Sequence, residues 1–369
     1  MTDRDYMLRA IELAKGGLGW TSPNPLVGAV IVKDGRIIGE GYHERCGKLH
    51  AERNAIASLT ESAEGATLYV TLEPCCHYGK TPPCTEAILE QKIARVVIGS
   101  RDPNPLVAGK GAAILRAAGV RVEEDFMREE CDALNPVFFH YITKKTPYVV
   151  MKYAMTADGK IAARTDDSKW ITGESARKKV QELRHQYMGI MAGIGTVLAD
   201  DPMLNVRIPG LKSPVRIICD SGLRIPMDSK IVKTAKEYRT IVAYAGEHSG
   251  EGCKETEKKE EQLHAAGVET VSVPDADGRV DLRKLMEYLG KQGIDSVLLE
   301  GGGTLNDAAL SAGIVNEICA FIAPKIFGGA GAKTPVSGIG VAHPAEAVML
   351  TLRQMETIGD DLMLRYSVD

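Results

Sequence analysis

The chain has 369 residues, 44% hydrophobic and 25% charged, which is an ordinary globular composition and more than one core usually holds, so two domains are expected. Lys and Arg total 45 against 49 Asp and Glu, a net charge of -4, which argues against a nucleic-acid partner. No apolar run reaches the roughly 20 residues of a membrane span, and Met1 to Tyr6 lack the basic segment of a signal peptide, so no membrane partner and a cytoplasmic location are expected.

Residues 3–15 carry apolar positions at helical spacing and end near Gly16-Gly17. Val27 to Val32 is a short apolar strand, and Asp34-Gly35 is a hairpin turn into a second strand, Arg36 to Tyr42. His50 opens a helix through Leu59. Ala66 to Leu72 is a strand, Pro82 to Gln91 a helix, Ala94 to Gly99 a strand, Gly111 to Ala118 a helix and Val120 to Glu123 a strand. Residues 126–142 are expected as helix, and Lys144-Lys145-Thr146-Pro147 interrupts them, which places a domain boundary between 1–145 and 146–369. Beyond it, Tyr148 to Tyr153 is a strand, Ser175 to Gln186 a helix, and Gly189 to Ala192, Val215 to Cys219 and Thr240 to Ala243 are strands. The charged run Glu247 to Glu261 is expected as a solvated loop and helix face. Alternating strands and helices imply layered α/β sheets.

The first half carries His50-Ala51-Glu52 followed by Glu73-Pro74-Cys75-Cys76 and Cys84. Catalytic zinc takes three protein ligands and keeps one position open for water. A nearby glutamate then moves protons without ligating the metal, the pattern of zinc base deaminases. Here eight residues separate Cys75 from Cys84, where that pattern has two. The intervening loop is rich in turn formers and polar groups and can line a substrate pocket as well as close the site. Cys75 is favoured as ligand because it follows Pro74; Cys76 and, more weakly, Cys46 compete with it. A purely structural zinc, or buried thiols without metal, are the plainer alternatives. The cysteines number eight and read as thiols or ligands, not as a disulfide framework.

In the second half, Ile294 to Leu299 is a strand that ends at Glu300-Gly301-Gly302-Gly303, after which a helix begins. Glycines there let backbone N–H groups approach a phosphate at a helix start, or they serve tight strand–helix packing. The polar clusters Thr165 to Thr172 and Gly193 to Pro202 are connecting loops or further parts of a nucleotide site at strand ends.

Both halves point to one family. The chain closely resembles the bifunctional deaminase/reductase family of riboflavin biosynthesis over almost its full length. In the first half the resemblance rests on Asn24-Pro25-Leu26-Val27-Gly28, His50-Ala51-Glu52, Thr71 to Cys84 and Asp102-Pro103-Asn104-Pro105. In the second it rests on Lys152, Asp158-Gly159-Lys160, Ser168 to Thr172, Gly195-Thr196-Val197, Asp200-Asp201-Pro202, Glu300-Gly301-Gly302 and Ala323-Pro324-Lys325. The long cysteine spacing is what this family looks like.

The resemblance implies a cytidine-deaminase-like α/β/α domain followed by a dihydrofolate-reductase-like α/β domain. The first deaminates 2,5-diamino-6-ribosylamino-4(3H)-pyrimidinone 5′-phosphate, a small phosphorylated substrate. The second reduces the ribosyl group of the product to ribityl with NADPH. By resemblance, His50, Cys75 and Cys84 hold zinc and Glu52 transfers the proton. Asn24, His43, His77, Lys80 and Asn104 surround the deaminase substrate, with Lys80 toward its phosphate. In the reductase, Ala154, Trp170, Thr196, Asp200, Ser221 and the loop Gly302, Gly303, Thr304, Leu305, Asn306, Asp307 and Ala308 are cofactor positions. Ser168, Arg184, Leu204, Arg207 and Glu300 are substrate positions, and Lys152 is assigned to catalysis. Arg184 and Arg207 suit a phosphate because guanidinium binds it with two parallel hydrogen bonds. A homo-oligomer is expected.

Two rival readings compete with this one. One is a zinc deaminase of a nucleoside or tRNA base with an unrelated second domain; the acidic balance weakens it. The other is a zinc-stabilised scaffold whose second half senses a nucleotide; Glu52 argues against it, since a structural site needs no free carboxylate.

Overall fold

The computed structural model describes residues 1–78, 82–105, 107–246 and 253–369. They form two compact units, Met1–Lys145 and Thr146–Asp369. No helix among the described residues is long and apolar enough to cross a membrane.

The first unit contains, in order, α1 (Asp3–Ala14), β1 (Gly28–Lys33), β2 (Arg36–Tyr42), α2 (Ala51–Ala57), β3 (Thr67–Leu72), α3 (Cys84–Glu90), β4 (Arg95–Ser100), α4 (Lys110–Ala117), β5 (Arg121–Glu123), α5 (Arg128–Asp132) and α6 (Pro136–Lys144). Thr2 starts α1 through a reciprocal cap, with its hydroxyl accepting from Asp5 N and its own N–H donating to the Asp5 carboxylate. The strands run β2-β1-β3-β4-β5, antiparallel across β2-β1-β3 and parallel from β3 to β5. Asp34 and Gly35 take positive φ of 49° and 72° and close the β1–β2 hairpin as the sequence suggests.

Both faces of this sheet are covered, which is why its strands read as unbroken apolar runs. Ala29, Ile31, Leu68, Val70, Val96 and Ile98 pack under α2, α3 and α4. Val30, Val32, Tyr69 and Val97 face Tyr6, Met7, Ala10 and Ile11 of α1. Each fully buried aliphatic side chain contributes about 1.5–3 kcal/mol.

The helix expected over 126–142 is two helices, α5 and α6, broken at Asn135. Pro136 disfavours helical backbone in the residue before it and cannot donate a helix hydrogen bond. Asn135 puts the break to use: its carboxamide accepts from Leu26 N at 2.7 Å and donates to Leu26 O at 2.8 Å. That clamp fixes the loop carrying Asn24.

The second unit contains β6 (Tyr148–Thr156), α7 (Glu174–Gln186), β7 (Gly189–Gly193), α8 (Ile194–Asp200), β8 (Val215–Cys219), α9 (Lys230–Lys233), β9 (Thr240–Tyr244), α10 (Cys253–Ala265), β10 (Val268–Ser272), α11 (Leu282–Lys291), β11 (Ser296–Leu299), α12 (Gly303–Ser311), β12 (Glu317–Ala323), β13 (Leu350–Ile358) and β14 (Asp361–Val368). Its sheet runs β10-β9-β8-β7-β11-β6-β12-β14-β13. The strands from β10 to β12 are parallel, and β14 and β13 add antiparallel. Val149, Met191, Ile217 and Val297 pack with Leu285, Met286 and Leu289 of α11, while Ile190, Ile218 and Val242 pack with residues of α8, α9 and α10.

Two expectations change here. Gly193 to Pro202 is not only a loop: Ile194 and Val197 are buried, and packing against the sheet draws 194–200 into α8. Of the charged run, 247–252 lie outside the described residues and the rest belongs to α10.

Candidate active site

Three elements meet at the ligand set of the first unit. His50 is the N-cap of α2, Cys75 lies in the loop that leaves β3, and Cys84 opens α3. His50 Nδ1 lies 3.5 Å from Cys75 Sγ and 3.5 Å from Cys84 Sγ. All three donor atoms lie within 4.8 Å of one another. Donors at about 2.0–2.3 Å around a tetrahedral zinc stand roughly 3.6 Å apart, so the set fits three ligands of one ion with a fourth position left over. Cys76 is not part of this group.

Glu52 sits in the first turn of α2 and is buried. Burial pushes its carboxyl up to about 7, with the charge of Cys75 adding to the effect. The two thiols move apart: a hydrogen bond from Cys84 draws Cys75 down, and the same bond with burial drives Cys84 up. Zinc binds thiolates, so a metal ion held by this set would favour ionisation of both thiols.

A cavity of about 300 Å³ opens over this set. Asn24, His43, His77 and Asn104 all line it, together with His50, Glu52 and Cys75. His43 Nδ1–H donates to Leu49 O at 2.9 Å, which leaves Nε2 to accept from Asn24 Nδ2 at 3.2 Å. Burial lowers the pKa of the His43 imidazole, which favours its neutral form. Its ring stands edge-on to His50, centroids 5.4 Å apart. His77 Nδ1 is buried with no partner among the described residues, a polar atom still available to a ligand. Lys80 lies outside the described residues.

Three further lining residues escape the sequence reading. Glu73 is spent on the fold, its carboxylate accepting from Gly109 N at 2.9 Å and Ala112 N at 3.2 Å at the start of α4. Asp102 accepts from Asn104 N at 2.8 Å and keeps its carboxyl in the cavity wall; burial pushes it up to about 6. Lys48 lines the same cavity from the turn before His50. Glu73 and Asp102 had a local signal, the Glu73-Pro74-Cys75-Cys76 and Asp102-Pro103-Asn104-Pro105 runs, whereas Lys48 had none.

In the second unit the site residues gather at the C-terminal ends of parallel strands, where open α/β sheets bind ligands. Glu300 follows β11, α8 with Thr196 and Asp200 follows β7, and Ser221 follows β8. Lys152 and Ala154 lie on β6, beside β11. Glu300 accepts from Arg184 Nε at 2.7 Å and Nη2 at 3.0 Å, and lies 3.7 Å from Lys152 Nζ. Burial alone would raise the Glu300 carboxyl, but Arg184 and Lys152 outweigh it and hold it near 2. Arg184 also donates to Asn205 O at 3.1 Å, so its fork is occupied within the protein, whereas Arg207 is exposed. Leu204 is buried, Ser168 is partly exposed, and Trp170 is exposed with the Arg177 guanidinium 4.6 Å from its ring. Ser221 is tied to the fold through its hydroxyl, which accepts from Val280 N.

The glycine segment divides by position. Gly302 is the N-cap of α12, with no side-chain cap on the free N–H groups behind it, and a Cβ there would meet nothing within 4 Å. A Cβ at Gly303 would meet Thr334 O at 2.8 Å, so that glycine serves packing. Leu305 and Ala308 pack against the core, Asn306 is fully buried and donates to Pro335 O, Thr304 is exposed and Asp307 is partly exposed.

Comparison with known proteins covers both units. The family described as RibD C-terminal domain matches residues 147–364, and the cytidine and deoxycytidylate deaminase zinc-binding region matches 1–100. The riboflavin biosynthesis protein RibD of Actinobacillus pleuropneumoniae is 58% identical over 368 residues, covering 100% of this chain and 96% of that protein. RibD of Escherichia coli strain K12 is 41% identical, covering 99% of each. RibD of Acinetobacter baumannii superposes with a TM-score of 0.87 at 37% identity, covering 100% of this chain and 99% of that one. A diaminohydroxyphosphoribosylaminopyrimidine deaminase/5-amino-6-(5-phosphoribosylamino)uracil reductase of Thermotoga maritima gives 0.86 at 39% identity, covering 99% and 98%.

Proposed function

Because the chain belongs to the RibD family of riboflavin biosynthesis, we propose that residues 1–145 deaminate a 5′-phosphorylated ribosylaminopyrimidine and that residues 146–369 reduce the product's ribosyl chain with NADPH. The chain is a bifunctional deaminase and reductase. The observation that carries the reading is the convergence of His50, Cys75 and Cys84 on one another, at a cavity lined by His50, Cys75 and the buried Glu52, which is not part of the ligand set. A nucleoside or tRNA-base deaminase leaves the second unit without a task.

Bound zinc supplies a Lewis acid that makes water a nucleophile at neutral pH. Glu52 takes the proton of the attacking water and hands it to the departing amine; its raised proton affinity suits it to both transfers. Asn24, His43, His77 and Asn104 hold the pyrimidine. In the second unit, bound NADPH would supply the hydride that reduction of the sugar requires. The α12 start and the ends of β7 and β8 hold the cofactor through Gly302, Thr196, Asp200 and Ser221, with Ala154 and Trp170 alongside. Lys152, steadied by Glu300, orients the sugar hydroxyls, and Arg207 serves the phosphate because Arg184 is bound to Glu300.

The two chemistries are separable on this reading. Glu52→Gln protein, given the deaminated intermediate and NADPH, should reduce it within about twofold of the wild-type rate. A folded Glu52→Gln protein that cannot reduce supplied intermediate would contradict the division.

A homo-oligomer is proposed through the outer end of the second sheet. A bulge at Arg353 keeps Leu350, Leu352 and Met355 on the face of Leu362, Leu364, Tyr366 and Val368. Tyr366 and Val368 continue the core, while Leu352 and Met355 are 52% and 68% exposed. A contiguous apolar face of this kind favours an isologous contact with a second copy. Equilibrium sedimentation should give a dimer or larger that Leu352→Glu/Met355→Glu weakens; an unchanged monomer at all concentrations would contradict it. The free thiols of Cys46, Cys75, Cys76, Cys84, Cys131, Cys219 and Cys319 fit a cytoplasmic setting.

A further inference from the structure

Carboxylates from strand ends hold α7 at both of its ends. Near the C-terminal end, Arg184 is clamped by Glu300, which follows β11. At the start, the N-cap Gly173 donates its N–H to Asp361 Oδ2 at 2.7 Å, across 188 positions of sequence. Asp361 is 3% exposed and opens β14 opposite Ile358 of β13, so this carboxylate comes from the turn end of the β13–β14 hairpin. An N–H that donates to a carboxylate makes one of the stronger hydrogen bonds, and burial keeps water from competing with it.

The hairpin turn fits against the helix start. Gly359 takes a φ of +63° in the turn, a region that favours glycine, and a Cβ there would stand 3.5 Å from Ser175 Oγ in the first turn of α7. A Cβ at Gly173 would meet Asp361 Oδ2 at 3.3 Å. The two backbones therefore approach closely at this point.

What the contact holds is the segment Ser168 to Thr172, which leads into α7. Ile171 and Thr172 are buried, while Trp170 is 58% exposed. Two further bonds reach the segment: Lys325 Nζ donates to Trp170 O at 3.0 Å, and Arg177 Nη1 donates to Thr172 O at 2.7 Å. The Arg177 guanidinium also lies 4.6 Å from the Trp170 ring. Arg177 belongs to α7, so its grip on the segment is only as fixed as the helix start. Lys325 reaches the segment with a long side chain at an exposed contact, which costs side-chain entropy. Of the three, Asp361 is the short, buried side chain that ties the segment to the sheet.

We propose that Asp361 is a positioning residue of the reductase: through Gly173 it fixes the 168–172 segment, and with it the Trp170 ring beside the NADPH site. It acts only through that segment. The inference rests on the place of Trp170 alongside the cofactor proposed above.

The test uses the full-length zinc-loaded chain carrying Trp20→Phe, which leaves Trp170 as its one tryptophan. Thermal melting, and deamination relative to this parent, report folding. Asp361→Ala should raise KM for NADPH about tenfold, the size expected for loss of one hydrogen bond to a charged group, with kcat within about threefold. It should also lower the fluorescence anisotropy of Trp170. Asp361→Asn, whose carboxamide oxygen still accepts from Gly173 N, should recover most of both. Asp361→Glu, which keeps the charge but adds a methylene between hairpin and helix, should raise KM to a lesser degree, and it carries the test if Asp361→Ala does not fold. Parental KM and anisotropy in the folded variants would overturn the inference. So would a higher KM at unchanged anisotropy, because the effect then bypasses the segment. Trp170→Ala in otherwise wild-type protein separates this role from the reading beneath it. If Trp170→Ala keeps the wild-type KM for NADPH, Trp170 does not flank the cofactor and both fall; if it raises KM while the Asp361 variants do not, only the role of Asp361 falls.

Discussion

Glu52→Gln should lose about 10²- to 10⁴-fold in deamination rate, the range of a general acid–base group, and should keep its zinc. The carboxyl lies outside the ligand set of His50, Cys75 and Cys84, so removing its charge leaves the metal donors in place. What it removes is the group that accepts and returns a proton at the cavity floor. Glutamine has nearly the same shape, so packing around this buried position is preserved. Cys84→Ser is the contrasting variant: it deletes a donor and should lose both metal and deamination. Metal analysis beside a deamination assay separates the two. Zinc lost from Glu52→Gln and retained in Cys84→Ser would reverse the assignment.

Gly302→Val should weaken NADPH binding by about 100-fold, roughly 2.7 kcal/mol, while deamination continues. The position is a clean test. Gly302 has a φ of -81° and ψ of 170°, extended backbone open to any residue, and a Cβ there meets no protein atom within 4 Å. Valine therefore adds bulk only to the space in front of the α12 start, where free N–H groups favour a phosphate. Gly303→Val would mislead, because its Cβ would press on Thr334 O and Ser337 and disturb the fold itself. Cofactor titration by fluorescence reads the result. Unchanged NADPH affinity in a folded Gly302→Val protein would move the phosphate site away from α12, toward Thr196 and Asp200.

The zinc set was legible because its chemistry is compressed into 35 residues and because His50 and Cys84 both fall at helix starts. The Asp34-Gly35 hairpin was legible because the residues that tolerate positive φ announce it. Lys48 was not, and Asp102 showed only as part of its Asp-Pro-Asn-Pro run, since one sits on a turn before α2 and the other beyond β4, and only the folded sheet brings both to the cavity. Asn135 was hidden inside an apparent helix; its two bonds to Leu26 span 109 residues of sequence. In the second unit, α8 was masked by the glycines around it, and the commitment of Arg184 to Glu300 depends on contact across 116 residues. The apolar face of β13 escapes a simple alternation rule because the bulge at Arg353 shifts Met355 onto the face of Leu352. Local patterns therefore reveal the metal chemistry, while the pairings that decide which charges remain free belong to the tertiary fold.

On the proposed function, one chain performs a deamination and then a reduction on the same phosphorylated pyrimidine. The most direct measurement is to incubate the purified zinc-loaded protein with the diaminopyrimidine phosphate, with and without NADPH, and weigh the products by mass spectrometry. Without NADPH the product should gain about 1 Da, the exchange of an amine for an oxygen by hydrolysis; with NADPH it should gain about 2 Da more, the hydride and proton of a reduced sugar. Unchanged substrate mass under both conditions, or a deaminated product that NADPH leaves untouched, would contradict the account.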